Sequence, residues 1–232
     1  MSFPETVDAY VPRDIVPFLQ HSTIQPTYVP LSTLRSISLD DTLLASRIYA
    51  TRITEPTLYA HAERCYLFSL AILANGFPSN TPGVPQIPFA ELHTRLFHTT
   101  ILHDLGLTYA PEALEHPARA MSFEIHGGML AYEHLRRLDP EIAPERLGDV
   151  VQSIMTHTLV LPQGKTTAGG NATAATVREI MEVYPRGEQS AQISAFVGTM
   201  LEDKPHCLIG AGLPGFNKRV AAVKELIPKA NE

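Results

Sequence analysis

The octapeptide Thr99-Thr100-Ile101-Leu102-His103-Asp104-Leu105-Gly106 places an imidazole and a carboxylate side by side in a run that otherwise reads as buried core. It closes an apolar-periodic stretch, Phe89–Leu105, with Leu92, Leu96, Thr99 and Leu102 at helical spacing and Gly106 in the position favoured after a helix. Burying either polar group requires a partner. Neighbours on an ideal helix point about 100° apart. His103 and Asp104 therefore reach one ion only off the helix end, where Leu105-Gly106 lets the backbone turn.

The same periodicity extends outward. A first helix begins at Ser38 or Asp40, with Leu43, Leu44, Ile48 and Tyr49 as its apolar stripe. Thr54-Glu55-Pro56-Thr57 reads as a stop and restart, followed by a helix from Leu58 to Ala74. On that helix Leu58, His61, Ala62, Cys65, Phe68, Ser69 and Ile72 form the buried side. Residues 76–87 read as a loop, and further helices are predicted at Arg119–Leu138, Pro144–Thr158, Thr173–Tyr184, Gln189–Leu201 and Phe216–Ile227. Residues 159–173 form a Gly/Thr-rich loop. Period-two alternation flanked by hairpin signals is missing, so the fold class is all-α. Residues 1–38, punctuated by Pro4, Pro12, Pro17, Pro26 and Pro30, form an irregular arm on the core with a helical turn near Asp14–Gln20; residues 39–232 form one helical domain.

Composition narrows the function. With 232 residues, 44% apolar and 18% charged, the chain buries a real core and is not disordered as a whole. A net charge of -6 without Lys/Arg blocks argues against a nucleic-acid partner. Apolar runs such as Leu67–Ala74 are far shorter than the roughly 20 residues of a membrane span. The opening Met1-Ser2-Phe3-Pro4-Glu5 has no secretory pattern, which sets a cytoplasmic expectation in which Cys65 and Cys207 stay reduced. A small-molecule partner is expected, and a homodimer is compatible with a helical protein of this size.

Histidine, at 10 residues, is the informative excess. A lone histidine on an apolar helix face is ordinarily a satisfied core residue, and His21, His93, His98, His116, His134 and His206 take that reading. The combination of His61 with His103-Asp104 is different. A shared metal ion gives all three a partner, and imidazole with carboxylate suits zinc, iron, manganese or cobalt. His126 and His157, on the next two predicted helices, are candidates for proton transfer, substrate orientation or a second metal.

This arrangement resembles the HD superfamily of helical metal-dependent enzymes, named for its paired His-Asp. The surrounding phrases are most similar to its fungal cyanamide hydratase branch. Leu58-Tyr59-Ala60-His61-Ala62-Glu63-Arg64 resembles the segment of the first histidine, with an arginine three residues on. Met121-Ser122-Phe123-Glu124-Ile125-His126-Gly127-Gly128 and Ile154-Met155-Thr156-His157-Thr158 resemble two later segments, and Tyr184-Pro185-Arg186 and Lys204-Pro205-His206 echo the C-terminal phrases. The resemblance spans roughly residues 40–230. One departure stands out. The family's second aspartate ligand has no counterpart: Gly164-Lys165-Thr166-Thr167-Ala168-Gly169-Gly170 runs straight into Asn171-Ala172-Thr173, and the only later aspartate, Asp203, lies in the C-terminal phrase.

The resemblance implies an HD-type helical bundle with one divalent metal, zinc or alternatively iron, on His61, His103 and Asp104. It implies addition of water to the nitrile of cyanamide to give urea. His126, His157 and Thr156 then serve catalysis, and Arg64, Glu124 and Thr158 serve the substrate or orient a ligand. Two alternatives remain beside it. An HD-type phosphohydrolase would want several cations at the metal, and Arg64, Arg95 and Lys165 are the only ones in reach. A catalytically decayed binding module would fit the missing aspartate.

Overall fold

Proline and Asp side chains start most of the helices. Asp40 accepts hydrogen bonds from the backbone N–H groups of Thr42 and Leu43, at 3.0 and 2.9 Å, a cap that satisfies two otherwise orphaned donors. Pro56, Pro111 and Pro144 occupy first-turn positions, where their fixed φ is already helical and no N–H is lost. The computed structural model describes residues 3–9, 27–75, 77–158, 173–204 and 207. Within them the elements run β1 (Thr6–Asp8), α1 (Leu31–Arg35), α2 (Asp41–Ile53), α3 (Pro56–Ala74), β2 (Gln86–Pro88), α4 (Phe89–Leu102), α5 (Pro111–Leu114), α6 (Phe123–Leu138), α7 (Pro144–Thr156), α8 (Ala174–Val183) and α9 (Gln189–Asp203).

The protein is mostly helical, with α4 in the middle of the bundle. It packs against α3, α2 and α7, while α6 packs on α7 and on the short 3-10 turn Leu105–Leu107. Phe97, Leu102, Leu67, Leu70, Leu105 and Ile154 are fully buried at these contacts. A second, smaller apolar cluster joins Leu58, Leu107, Phe123, Val197 and Met200. Val7, Val29, Leu31 and Leu34, from the described parts of the N-terminal arm, enter the main core. Among the described residues no helix is long and apolar enough to cross a membrane.

Several histidines are core residues with local partners. The Tyr66 hydroxyl pairs with His93 Nε2 at 2.7 Å. His134 Nε2 pairs with Ser46 Oγ at 3.0 Å and its ring stacks on Tyr49, 4.3 Å between centroids. Burial lowers His98 and His134 to about 4 each, so both are neutral at pH 7.

The structure departs from the sequence expectations in four places. First, Thr6–Asp8 and Gln86–Pro88 pair as a two-stranded antiparallel sheet, where an arm and a loop are expected. Second, Leu31–Arg35 forms a helix inside the arm. Third, Leu44 and Ile48 face outward at 40% and 67% exposure, and α2 instead buries Leu43, Ser46, Tyr49, Ala50 and Ile53. The Ser46–His134 pair makes that register favourable. Fourth, helix ends shift: α3 starts at Pro56, α4 stops at Leu102, α7 at Thr156, α8 spans Ala174–Val183, α9 runs on to Asp203, and α6 starts at Phe123 after the separate 3-10 turn Pro117–Ala120. The expected turn near Asp14–Gln20, the 159–172 part of the Gly/Thr-rich loop and the Phe216–Ile227 helix lie outside the described residues, as do His21, His206 and Lys165.

The α4–α6 junction depends on glycine. A Cβ on Gly106 would overlap the Phe123 carbonyl and lie 2.9 Å from the Gly127 nitrogen, all backbone that cannot give way. Gly148, exposed inside α7, is the contrasting case: a Cβ there would meet nothing within 4 Å. Gly106→Ala should therefore destabilise the fold by about 3 kcal/mol, whereas Gly148→Ala should stabilise it by about 0.5–1 kcal/mol through lower unfolded-state entropy. Denaturant unfolding measures both; equal, small effects would contradict the tight junction.

Candidate metal centre

The centre forms where α4 and α7 end. His103 is the residue that ends α4, and its Nδ1–H donates to the Thr100 carbonyl at 2.7 Å. His157 ends α7 in the same way, its Nδ1–H donating to the Ile154 carbonyl at 2.6 Å. Each bond commits Nδ1 as donor and leaves Nε2 as the outward lone pair, the arrangement by which metal-binding imidazoles are oriented. Both helices also bring the negative ends of their dipoles here, which favours a cation. After His103 the chain leaves the helix: Asp104 has φ -103° and ψ 15°, and Leu105–Leu107 forms the 3-10 turn. That break lets adjacent residues aim at one point.

His61 completes the group from the middle of α3. Its Nε2 lies 3.3 Å from His103 Nε2 and 3.5 Å from Asp104 Oδ2. His103 Nε2 lies 3.2 Å from the same Oδ2, and His157 Nε2 lies 3.4 Å from Oδ1. Donors about 2.0–2.1 Å from a tetrahedral ion are about 3.4 Å from one another. The triangle of 3.3, 3.5 and 3.2 Å matches one face of that tetrahedron. Two imidazole lone pairs at such a distance repel unless a proton or a cation lies between them. Cys65, one turn after His61, brings its sulfur within 3.7 Å of His61 Nε2. The cluster thus comprises two overlapping groups, His61-Cys65-His103 and His103-Asp104-His157.

Electrostatics follow from burial and proximity. Burial alone would raise the Asp104 carboxyl, but the contacts from His103, His157 and His61 hold it well below the usual carboxylate range. Burial opposes charge on His103, yet the Asp104 carboxylate and the Thr100 carbonyl raise its imidazolium above the ordinary value. Burial lowers His61 to about 3 and pushes the Cys65 thiol up to about 12. Asp104 is therefore a buried anion ringed by imidazoles, a donor set that could hold a metal ion. The side chains of His61 and His157 remain 27% and 20% exposed, so solvent reaches one side.

The structure brings His61, His103, Asp104 and His157 together. Of the others nominated from sequence, Arg64, Thr156 and His126 have other surroundings, while Glu124 and Thr158 lie next to His157. Arg64, expected at a substrate, is 2% exposed; its Nη1 donates to the carbonyls of Tyr184 and Pro185 at 2.8 and 3.0 Å, and its Nη2 to Gln189 Oε1. It ties α3 to the α8–α9 link. Thr156 donates to the Gln152 carbonyl at 2.6 Å and lines an outer groove between α6 and α7 with Tyr132 and Arg136. His126 is buried, stacks on His116 at 5.6 Å and leaves Nε2 without a hydrogen-bond partner among the described residues. Asp203 lines a small cavity with Arg119, His126 and Lys204. Thr158 and Glu124 lie beside His157: Thr158 Oγ1 donates to Glu124 Oε1 at 2.6 Å, and the Phe123 ring is 5.6 Å from that of His157. Glu124 is fully buried and its Oε2 has no partner among the described residues. Cys65 is the residue that sequence reasoning passed over as core, although its spacing from His61 put both on one helix face.

Comparison with known proteins gives no matching family model and no matching curated protein.

Zinc added to the purified chain should bind one to one and raise its melting temperature, by about 2.7 kcal/mol of stability at a hundredfold excess over the dissociation constant. His103→Ala should abolish both effects. Because a proton on the raised His103 imidazole competes with the ion, metal should be released as pH falls through and below that imidazole's range. Undiminished zinc content in His103→Ala would refute the site.

Proposed function

We propose that the chain is an HD-type metal-dependent lyase, similar to cyanamide hydratase, that adds water across the nitrile of cyanamide to give urea. The observation that carries this reading is the convergence of His61, His103 and His157 on Asp104 with two imidazoles held by backbone carbonyls. The motif order that resembles the HD family, a first histidine followed some forty residues on by His-Asp, supports it from sequence.

His61, His103 and Asp104 would hold a divalent cation, zinc or alternatively iron, which when bound supplies a Lewis acid and makes water acidic enough to act near neutral pH. The chain's own residues do the rest. His157 Nε2 faces the second oxygen of Asp104 at 3.4 Å and, when it carries a proton, donates to it and fixes the carboxylate's orientation. In the hydration, water contributes oxygen to the nitrile carbon and its two protons end on nitrogen, so nothing leaves. A proton must therefore be taken up and returned. Glu124 Oε2, buried and without a partner among the described residues, is the acceptor we assign to that transfer, and the Thr158 hydroxyl holds its other oxygen.

Phosphate chemistry has less support. Arg64 is spent on carbonyls and Gln189, and Arg95 on Asp149 and Glu91. Neither guanidinium is directed to a phosphate at the centre.

The zinc-loaded chain incubated with cyanamide should release urea, and the same preparation with a nucleoside monophosphate should release no phosphate. Glu124→Gln should lower kcat by about 10²–10⁴ while metal content stays at one equivalent. Phosphate release without urea would overturn the proposal.

A further inference from the structure

The face of α3 turned away from the centre borders a second cavity. Glu63 lies two residues after His61, about 200° further round an ideal helix. Its carboxylate is buried and held by the Arg47 guanidinium from α2: Nε lies 2.9 Å from Oε1, and Nη2 donates to Oε2 at 3.3 Å. The Tyr59 hydroxyl also donates to Oε1. Both Glu63 and Arg47 line an open cavity of about 440 Å³, a size within the roughly 300–1,000 Å³ of small-molecule sites. Arg35 enters it from α1; its Nη2 donates to the Tyr184 hydroxyl at 3.0 Å and its guanidinium lies 5.3 Å from the centre of that ring. Ile37, Leu39, Leu44 and Leu67 supply an apolar wall, and the 40% exposure of Leu44 on α2 falls here. Charge in the cavity does not balance. Among the described residues that line it, two guanidiniums meet one carboxylate, and that carboxylate is already paired. Arg47 Nη1 and the Nε and Nη1 of Arg35 donate to nothing among the described residues.

We propose that this cavity is a binding site for an aliphatic monocarboxylate, its head taken up by Arg35 and Arg47 and its hydrocarbon body laid on the wall of Ile37, Leu39, Leu44 and Leu67. The guanidinium fork matches a carboxylate, and the bonds are charge-assisted. An excess of one positive charge suits a monoanion better than a dianionic phosphate ester. Glu63 has a positioning part: by holding one edge of the Arg47 guanidinium it leaves Nη1 free for the ligand. The Tyr184 ring does the same for Arg35, which is otherwise an exposed and mobile side chain. The apolar wall gives a favourable term for each methylene it covers. Occupancy of this site does not require metal at Asp104.

Octanoate is the probe, titrated into the full chain by calorimetry. It should bind one to one, and octanol, octylamine and acetate should each bind at least about tenfold more weakly, the first two for want of the carboxylate and the last for want of the body. Arg47→Ala would strand the buried Glu63 carboxylate and destabilise the fold, so the variants are taken at exposed positions. Arg35→Ala and Leu44→Glu should each weaken octanoate at least about tenfold while leaving the circular dichroism spectrum unchanged. The wild-type comparison of octanoate with octanol is decisive by itself and does not depend on either variant. Absence of saturable octanoate binding at millimolar concentration would overturn the site. So would octanol binding as tightly as octanoate, or octanoate binding that both variants leave intact.

Discussion

The centre depends on one interaction made twice: a histidine at a helix end gives its Nδ1 proton to the carbonyl three residues back. His103 does so to Thr100 and His157 to Ile154. A side chain that is otherwise free to rotate and exchange tautomers is thereby held with one lone pair facing outward. Because α4 and α7 both end at the same place, the two lone pairs face a shared space around Asp104. The rest of the bundle keeps those helix ends in register. α6 packs on the turn after Asp104 through Gly106 and Gly127, where backbone meets backbone. Arg64, buried in α3 beside His61 and Cys65, anchors that helix to the chain between α8 and α9.

Buried polarity is thus sorted into two kinds. His93 and His134 are paired within the core, to Tyr66 and to Ser46, and stay neutral there. They stabilise packing. At the centre, Asp104, His61, His103 and His157 partner one another and two backbone carbonyls, and the net result is an anion with imidazoles around it. Four polar groups so arranged are costly to bury alone, and a cation held among them would offset that cost. The same contrast separates the histidines that a composition count alone would treat as equals.

Much of this was legible in the sequence. Helical spacing marked the principal helices, and the apolar flanks of His103-Asp104 marked the pair as buried. Where the reading stopped short, tertiary contacts had overridden local pattern. α4 was expected to run to Leu105, but Gly106 docks under the first residue of α6 and the chain must leave the helix at His103. Leu44 and Ile48 fit the apolar stripe of α2 yet face out, because Ser46 has a buried partner in His134 that lies 88 residues away. The strand Thr6–Asp8 was invisible since its partner, Gln86–Pro88, is distant and only three residues long. Arg64 and Thr156 looked like site residues by motif; Arg64 instead donates to two backbone carbonyls and Gln189, and Thr156 to the Gln152 carbonyl, contacts that leave no mark on the sequence.

X-ray absorption at the zinc edge of the loaded protein tests the convergence on Asp104 most directly. The expected spectrum is that of a low-coordinate shell with imidazole scattering and nitrogen or oxygen donors at about 2.0–2.1 Å. A shell of oxygens alone, without imidazole, would mean that the ion rests on surface carboxylates and that the ring of histidines around Asp104 holds no metal.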